Sequence, residues 1–139
     1  MAGERDLRTL LRHMTPQQQP GTFVFCSFAD DDLPTGLAPI ATFREVEGLS
    51  AIVTLDEAQR AGVPYQFESG LITLTIHSSL DAVSFLAAVS VVLADAGIPC
   101  NAVSAFHHDH LFVPRDMTQR ALGLLVAAAA ASTDTPGQN

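Results

Sequence analysis

The chain has 139 residues, the size of one ordinary domain or of two small ones that share a core. Hydrophobic residues make up 47% of it, enough for a buried core, and 15 acidic residues against 7 arginines give a net charge of −8. There is no lysine, and the arginines form no basic stripe that could neutralise a phosphate backbone. We therefore expect no binding to nucleic acid.

The sequence predicts a cytoplasmic protein that does not enter a membrane. Its start is charged and amphipathic and has no signal-peptide pattern. The most apolar segment, 82–96, is too short and too rich in alanine and serine to span a bilayer. Cys26 and Cys100 stand in apolar runs, which favours buried, reduced thiols. A disulfide between them is the alternative.

The first half of the chain predicts two helices and three strands. In chain order these are a helix at 4–14, a loop at 17–21, a strand at 22–28, a loop at 30–36, strands at 39–45 and 49–55, and a helix at 56–61. The second and third strands form a hairpin with Gly48 at its left-handed turn position, and Asp56 caps the second helix. The acidic run Asp30–Asp32 indicates a solvated turn, since a calcium loop needs a wider ligand spacing.

The second half predicts three strands and two helices. In chain order these are a strand at 70–77, a helix at 80–96, strands at 100–106 and 110–113, a helix at 114–131 and a disordered tail at 132–139. Ser78 and Ser79 cap the first of these helices. Because that helix is apolar almost all round, we expect the last helix or a second subunit to cover its outer side.

The order αβββα followed by βαββα predicts an α+β sandwich. The second half corresponds to a ferredoxin-like βαββαβ unit that lacks its fourth strand, and we expect the strand 22–28 to fill that place. The two halves would then be interlocked, with helices on one face of an antiparallel sheet.

Residues 71–113 carry a family resemblance. They read LITLTIHSSLDAVSFLAAVSVVLADAGIPCNAVSAFHHDHLFV, which is a strand, a capped loop, a helix with small residues, Gly97-Ile98, a strand, a polar turn and a strand. This pattern resembles an ACT domain, in the variant of small bacterial tandem-ACT proteins and of eukaryotic cytosolic arginine sensors. Upstream, LAPIATFREVEGLSAIV at 37–53 is similar to the first half of the bacterial group. The resemblance implies two interlocked ACT-like halves, at 1–66 and 67–131.

The resemblance also implies a non-catalytic regulatory module without a cofactor or a metal. Such domains act in pairs and bind a small ligand, usually an amino acid, at their interface. The apolar outer side of the helix at 80–96 leads us to expect a homodimer. The candidate ligand-binding residues are His77, Ser78, Ser79, Leu80, Ala102, Val103, Ser104 and Arg44.

Physical arguments bear on two of these positions. The first amides of the helix at 80–96 lack partners within the helix and favour an anion, such as a ligand carboxylate, unless the serines only cap the helix. Arg44 is the only cation in the strand-rich part of the first half, so it pairs with a ligand carboxylate or with a surface acid. Where many ligand-binding ACT domains have glycine, this loop has Ser79-Leu80. The alternative function is therefore a structural oligomerisation or protein-interaction module with a vestigial pocket.

Three of the five histidines stand with an aspartate in His107-His108-Asp109-His110. Zinc needs three or four converging ligands, and adjacent residues of a strand point to opposite faces. If His108 and Asp109 form a two-residue turn, His107 and His110 are cross-strand neighbours and supply two ligands at most. A catalytic His–Asp pair needs a nucleophile, and we interpret Ser104 as a packing residue. We favour the interpretation that this segment is the tip of a hairpin, and a metal site or a catalytic site is the alternative.

Overall fold

The computed structural model describes residues 7–75 and 85–133. Its elements are α1 (Leu7–His13), β1 (Pro16–Phe28), β2 (Ala41–Glu45), β3 (Gly48–Thr54), α2 (Leu55–Ala61), β4 (Gln66–Leu74), α3 (Phe85–Asp95), β5 (Asn101–Ser104), β6 (Asp109–Pro114) and α4 (Thr118–Thr133). Short 3-10 turns follow β1 and β6, at Ala29–Asp31 and Arg115–Met117.

The strands form one antiparallel sheet of six strands in the order β2-β3-β1-β4-β6-β5. The central strands β1 and β4 pair with each other and belong to both halves. In the first half the order is β4-β1-β3-β2, and in the second it is β1-β4-β6-β5. Each is the arrangement of a ferredoxin-like unit whose first and fourth strands lie side by side. This confirms the predicted α+β fold with interlocked halves.

Strand β1 supplies the fourth strand of the second half, as predicted, but much of its pairing with β4 is made by residues that were predicted as a loop. Its N-terminal part pairs with β4 from Pro16 opposite Leu74 to Gln19 opposite Leu71. The part at 23–28 pairs with β3, and Phe23 and Phe25 also stand opposite Ser69 and Gln66 of β4. The loop prediction at 17–21 is therefore wrong. Glutamines, proline and glycine carry little strand propensity, and pairing with a central neighbour outweighs that local preference.

Helix α2 begins earlier than the sequence suggested. Thr54, and not Asp56, is the N-cap: its hydroxyl accepts a hydrogen bond from the Glu57 amide at 3.1 Å. The Glu57 carboxylate accepts from the Thr54 amide at 3.1 Å and from the Ala38 amide at 3.0 Å. These bonds, the Thr54 amide first, lower the pKa of Glu57. The carboxylate thus connects the loop before β2 to the start of α2, and Gly62 ends the helix in the left-handed conformation.

Other boundaries differ by a few residues. Strand β4 begins at Gln66 instead of residue 70, and the last helix begins at Thr118, after a 3-10 turn, instead of at Pro114. The predicted continuation of β4 to His77 and the capping residues Ser78 and Ser79 lie outside the described residues. Among the described helices, none is long and apolar enough to cross a membrane.

Helices cover one face of the sheet with two hydrophobic clusters. Strands β4 and β6 pack there against α1, α3 and α4 through residues such as Ile72, Leu111 and Leu125. Strands β1 and β3 pack against α2 through Val24 and Val53. Side chains alternate along a strand, and the neighbours of these residues therefore lie on the opposite face of the sheet.

Candidate functional site

The face of the sheet away from the helices carries an aromatic cluster. It consists of the buried side chains Phe23, Ile52, Leu71 and Phe112, with Phe25, Ala41, Phe67 and Val103 packed against them. Phe25 meets Phe112 edge to face at a ring-centroid distance of 5.5 Å and Phe67 at 5.7 Å. This face is therefore a second apolar layer and not a solvated surface.

The two edge strands of the sheet approach each other over this layer. Ala41 of β2 and Val103 of β5 belong to opposite edges, yet both pack on the same cluster and line the same two cavities. The approach of the two edges means that the sheet is curved, and two irregularities in the central strands accompany this curvature. The pairing of β1 with β4 shifts register between Gln19 and Phe25, and Phe67 of β4 has a positive φ of 63°. Irregularities of this type bend a strand and increase its twist.

The space between the edges is a cavity of about 330 Å³, which we call the edge cavity. Its lining comes from β1, β2, β3 and β5: Phe25, Ala41, Thr42, Phe43, Glu45, Ser50, Ile52 and Val103. A second space of about 150 Å³ adjoins it at Ala41 and Val103 and extends to His110 and Phe112. A mostly apolar cavity at the lower end of the size range of ligand pockets suits a small molecule.

Each end of this site has a polar group. At the β2 end the hydroxyl of Ser50 donates to the carboxylate of Glu45, which holds that carboxylate at the cavity. At the β6 end the ring nitrogen Nδ1 of His110 lies 3.0 Å from the hydroxyl of Thr73. Burial lowers the pKa of His110, nearby His108 lowers it further, and Asp109 acts in the opposite direction. At neutral pH the His110 end is therefore uncharged.

His110 leads to an expected loss of stability in mild acid. Since folding lowers its pKa below the value of about 6.5 expected for the unfolded chain, the unfolded state binds more protons as the pH falls. The free energy of unfolding is then highest above this pH and decreases as the pH falls through the folded pKa. Denaturant titrations at about pH 8 and about pH 5 should show that His110→Gln loses less stability than the wild type. Equal losses would assign the acid sensitivity to other groups.

Of the described residues that the sequence suggested as ligand contacts, only Val103 lines the edge cavity. Its neighbours Ala102 and Ser104 alternate to the other face of β5, and the Ser104 hydroxyl donates to Asp109 at 2.6 Å. Arg44 also lies on the other face, opposite Leu49, and pairs with Asp31 at 3.5 Å. Residues His77, Ser78, Ser79 and Leu80 lie outside the described part of the chain.

The His107–His110 segment forms a longer turn than expected. Ser104 stands opposite Asp109 and Val103 opposite His110, while the Ala105 amide donates to the His108 carbonyl at 3.0 Å. A two-residue turn that sets His107 opposite His110 does not form, because Asp109 already belongs to β6. Within residues 7–75 and 85–133, no three His, Cys, Asp or Glu side chains are placed to hold a metal ion. Cys26 and Cys100 are free thiols, and burial raises the pKa of both.

Most of the cavity residues were not singled out from the sequence. The alternation in TFVFCSF at 22–28 does place Phe23 and Phe25 opposite Val24 and Cys26, so both faces of this strand carry apolar residues. In a sheet with helices on one face only, that pattern is the signal of a second apolar layer. The pattern of apolar residues on both faces is less clear in strands β2 and β3, because Glu45 and Ser50 interrupt the apolar positions.

Comparisons with known proteins identify the fold family. ACT-domain models match residues 2–70 and residues 66–127. A Vibrio cholerae protein of unknown function, described as a possible transport protein, is 40% identical over 88% of this chain and 95% of its own, with a TM-score of 0.80. A protein from Agobacterium tumefaciens is 18% identical over 84% of this chain and 89% of its own, with a TM-score of 0.73.

A regulatory protein shares the fold at lower identity. The ligand-free regulatory subunit of aspartate kinase from Thermus thermophilus is 12% identical over 85% of this chain and 97% of its own, with a TM-score of 0.65. No curated protein matches the chain significantly. ACT domains are typically ligand-binding regulatory modules, and no catalytic domain is indicated here. The chain belongs to the ACT-domain family and carries two ACT domains in tandem.

Proposed function

We propose that this tandem ACT protein is a non-catalytic sensor that binds a small ligand, an amino acid with an apolar side chain, between its two ACT units. One observation supports this most directly. The edge cavity is lined by Phe25 and Ile52 of the first unit and by Val103 of the second. A ligand held there would contact both edge strands at once.

Such a contact would couple binding to the arrangement of the two units. A ligand stabilises whichever separation of β2 and β5 gives it better contacts, and it shifts the population toward that state. The module could then regulate a partner that recognises one arrangement. We place the division between the units at residues 66 and 67, where β4 begins, and we retain the loop His77–Leu80 as a second candidate contact. We also retain homodimerisation and a cytoplasmic location as parts of the proposal.

Thermal denaturation of the full chain with each of the twenty amino acids tests the proposal. We expect an apolar amino acid at millimolar concentration to raise the melting temperature, because a ligand that binds only the folded state stabilises it by about 2.7 kcal/mol at one hundred times its Kd. Val103→Phe, which fills the cavity, should abolish the shift. Val91→Phe is the matched control, since Val91 is 56% exposed on α3, away from the cavity.

A structural interaction module is the alternative, and exposed apolar side chains favour it. Around the edge strand β2, Phe43 is 73% exposed and Ile40 is 54% exposed, and Val46 in the following turn is fully exposed. A melting temperature that no amino acid changes, together with a stable dimer in sedimentation experiments, would contradict the sensor proposal and support this alternative.

A further inference from the structure

We propose that the edge cavity recognises the amine and the apolar body of its ligand but not a carboxylate, so that apolar amines and amino-acid amides bind at least as tightly as the free amino acid. This inference rests on the proposed function, because it concerns the same cavity. It goes further in naming the chemical class that the cavity selects.

The amine would bind at Glu45. Glu45 is the one charged side chain among the residues that line the edge cavity, and it shares its face of β2 with Ala41 and Phe43. The Ser50 hydroxyl donates to one carboxylate oxygen of Glu45 and so fixes its orientation. A carboxylate accepts several hydrogen bonds, and its other oxygen remains able to accept one from a ligand ammonium group. Phe43 beside it adds an aromatic face, which also attracts cations.

A ligand carboxylate would find no cationic partner among the described residues that line the cavity. Arg44 follows Phe43 directly, but its side chain lies on the opposite face of β2 and pairs with Asp31. The chain contains no lysine, and its net charge is −8. A carboxylate entering the cavity would lose water and approach the like charge of Glu45, and both effects oppose binding.

The apolar body of the ligand would lie on the aromatic layer. Phe25, Ile52, Val103 and the small Ala41 line the cavity and belong to the aromatic cluster. The volume of about 330 Å³ is compatible with one branched or aromatic side chain rather than a long chain or a nucleotide. Burial of such a side chain would supply most of the affinity through the hydrophobic effect.

Four probes that share the side chain of leucine test the proposal by titration calorimetry on the full chain near neutral pH. They are L-leucine, L-leucinamide, 3-methylbutylamine, which lacks the carboxylate, and 4-methylpentanoate, which lacks the amine. We expect the amide and the amine to bind at least as tightly as leucine, and 4-methylpentanoate to bind at least about tenfold more weakly. A second set built on phenylalanine, with its amide, 2-phenylethylamine and 3-phenylpropanoate, covers an aromatic side chain.

Glu45→Gln keeps an acceptor for Ser50 and removes the charge. This substitution should weaken the binding of the amines and amides about tenfold. Glu47→Gln, the same change in the neighbouring turn and outside the cavity lining, should leave their binding unchanged. Three results would overturn the inference and leave the sensor proposal standing. They are tighter binding of leucine than of its amide and amine, binding of the carboxylates without the amines, and an unchanged affinity for the amines and amides in Glu45→Gln. If neither probe set binds, the inference is overturned as well. The sensor proposal then fails only if none of the twenty amino acids raises the melting temperature.

Discussion

Phe112→Ala is expected to lower the free energy of unfolding by about 3–5 kcal/mol. Phe112 is 2% exposed on β6, and its ring meets Phe25 at 5.5 Å and Phe23 at 6.1 Å, both edge to face. Truncation removes the ring, both aromatic contacts and the filling of the layer between the two edges of the sheet. Because whole domains are stable by only about 5–15 kcal/mol, a large part of the stability would be lost.

Phe106→Ala is the matched control for this measurement. Phe106 lies in the turn between β5 and β6 and is 71% exposed, so its truncation should change the stability by no more than about 0.5 kcal/mol. Urea denaturation of both variants gives the comparison. If the two variants lost similar amounts, the aromatic cluster would not be part of the core, and the curvature of the sheet would need another support.

Gly70→Ala is expected to destabilise the protein by about 1–3 kcal/mol through overpacking. A methyl group at this position of β4 would run into the Thr118 side chain, against its hydroxyl and at 2.7 Å from its methyl carbon. Thr118 is 2% exposed at the start of α4, and its hydroxyl donates to the Pro114 carbonyl at 3.0 Å. It therefore cannot move away without losing that bond, and α4 would have to shift from the sheet.

Two further variants make this result specific. Thr118→Ala removes the hydroxyl and the methyl group, which are the two atoms that clash most closely, so the double variant should be less destabilised than the sum of the two single variants. Gly123→Ala within α4 meets nothing within 4 Å and should raise the stability by up to about 1 kcal/mol, since alanine is the better helix former. Strict additivity in the double variant would show that Gly70 and Thr118 do not compete for the same space.

The architecture could be predicted from the sequence because its signals are local. Alternation along 70–77 and the aromatic and β-branched residues of 22–28 identified the two central strands, and the small-residue helix with Gly97 after it identified α3. The N-terminal part of β1 could not be predicted in this way. Its glutamines and prolines form a strand only because β4 offers an unpaired neighbour, which is a property of the assembled sheet.

The candidate site was less accessible to prediction, for a related reason. The edge cavity exists because Ala41 and Val103 meet across a curved sheet, and no spacing in the sequence encodes that curvature. Val103 was singled out through its family position, whereas Glu45 was not among the suggested ligand contacts. Side-chain direction along β2 distinguishes Glu45 from Arg44, and it depends on a register that Gly48 opposite Glu45 fixes.

The sharing of β1 and β4 between the halves limits how this protein can be divided or rearranged. A cut before β4 would leave the first half without its fourth strand, and the C-terminal fragment would lack β1. Each fragment would then expose the backbone of a strand that lies at the centre of the intact sheet. The two halves should consequently unfold in one cooperative transition, and neither could be moved to another protein by simple gene fusion.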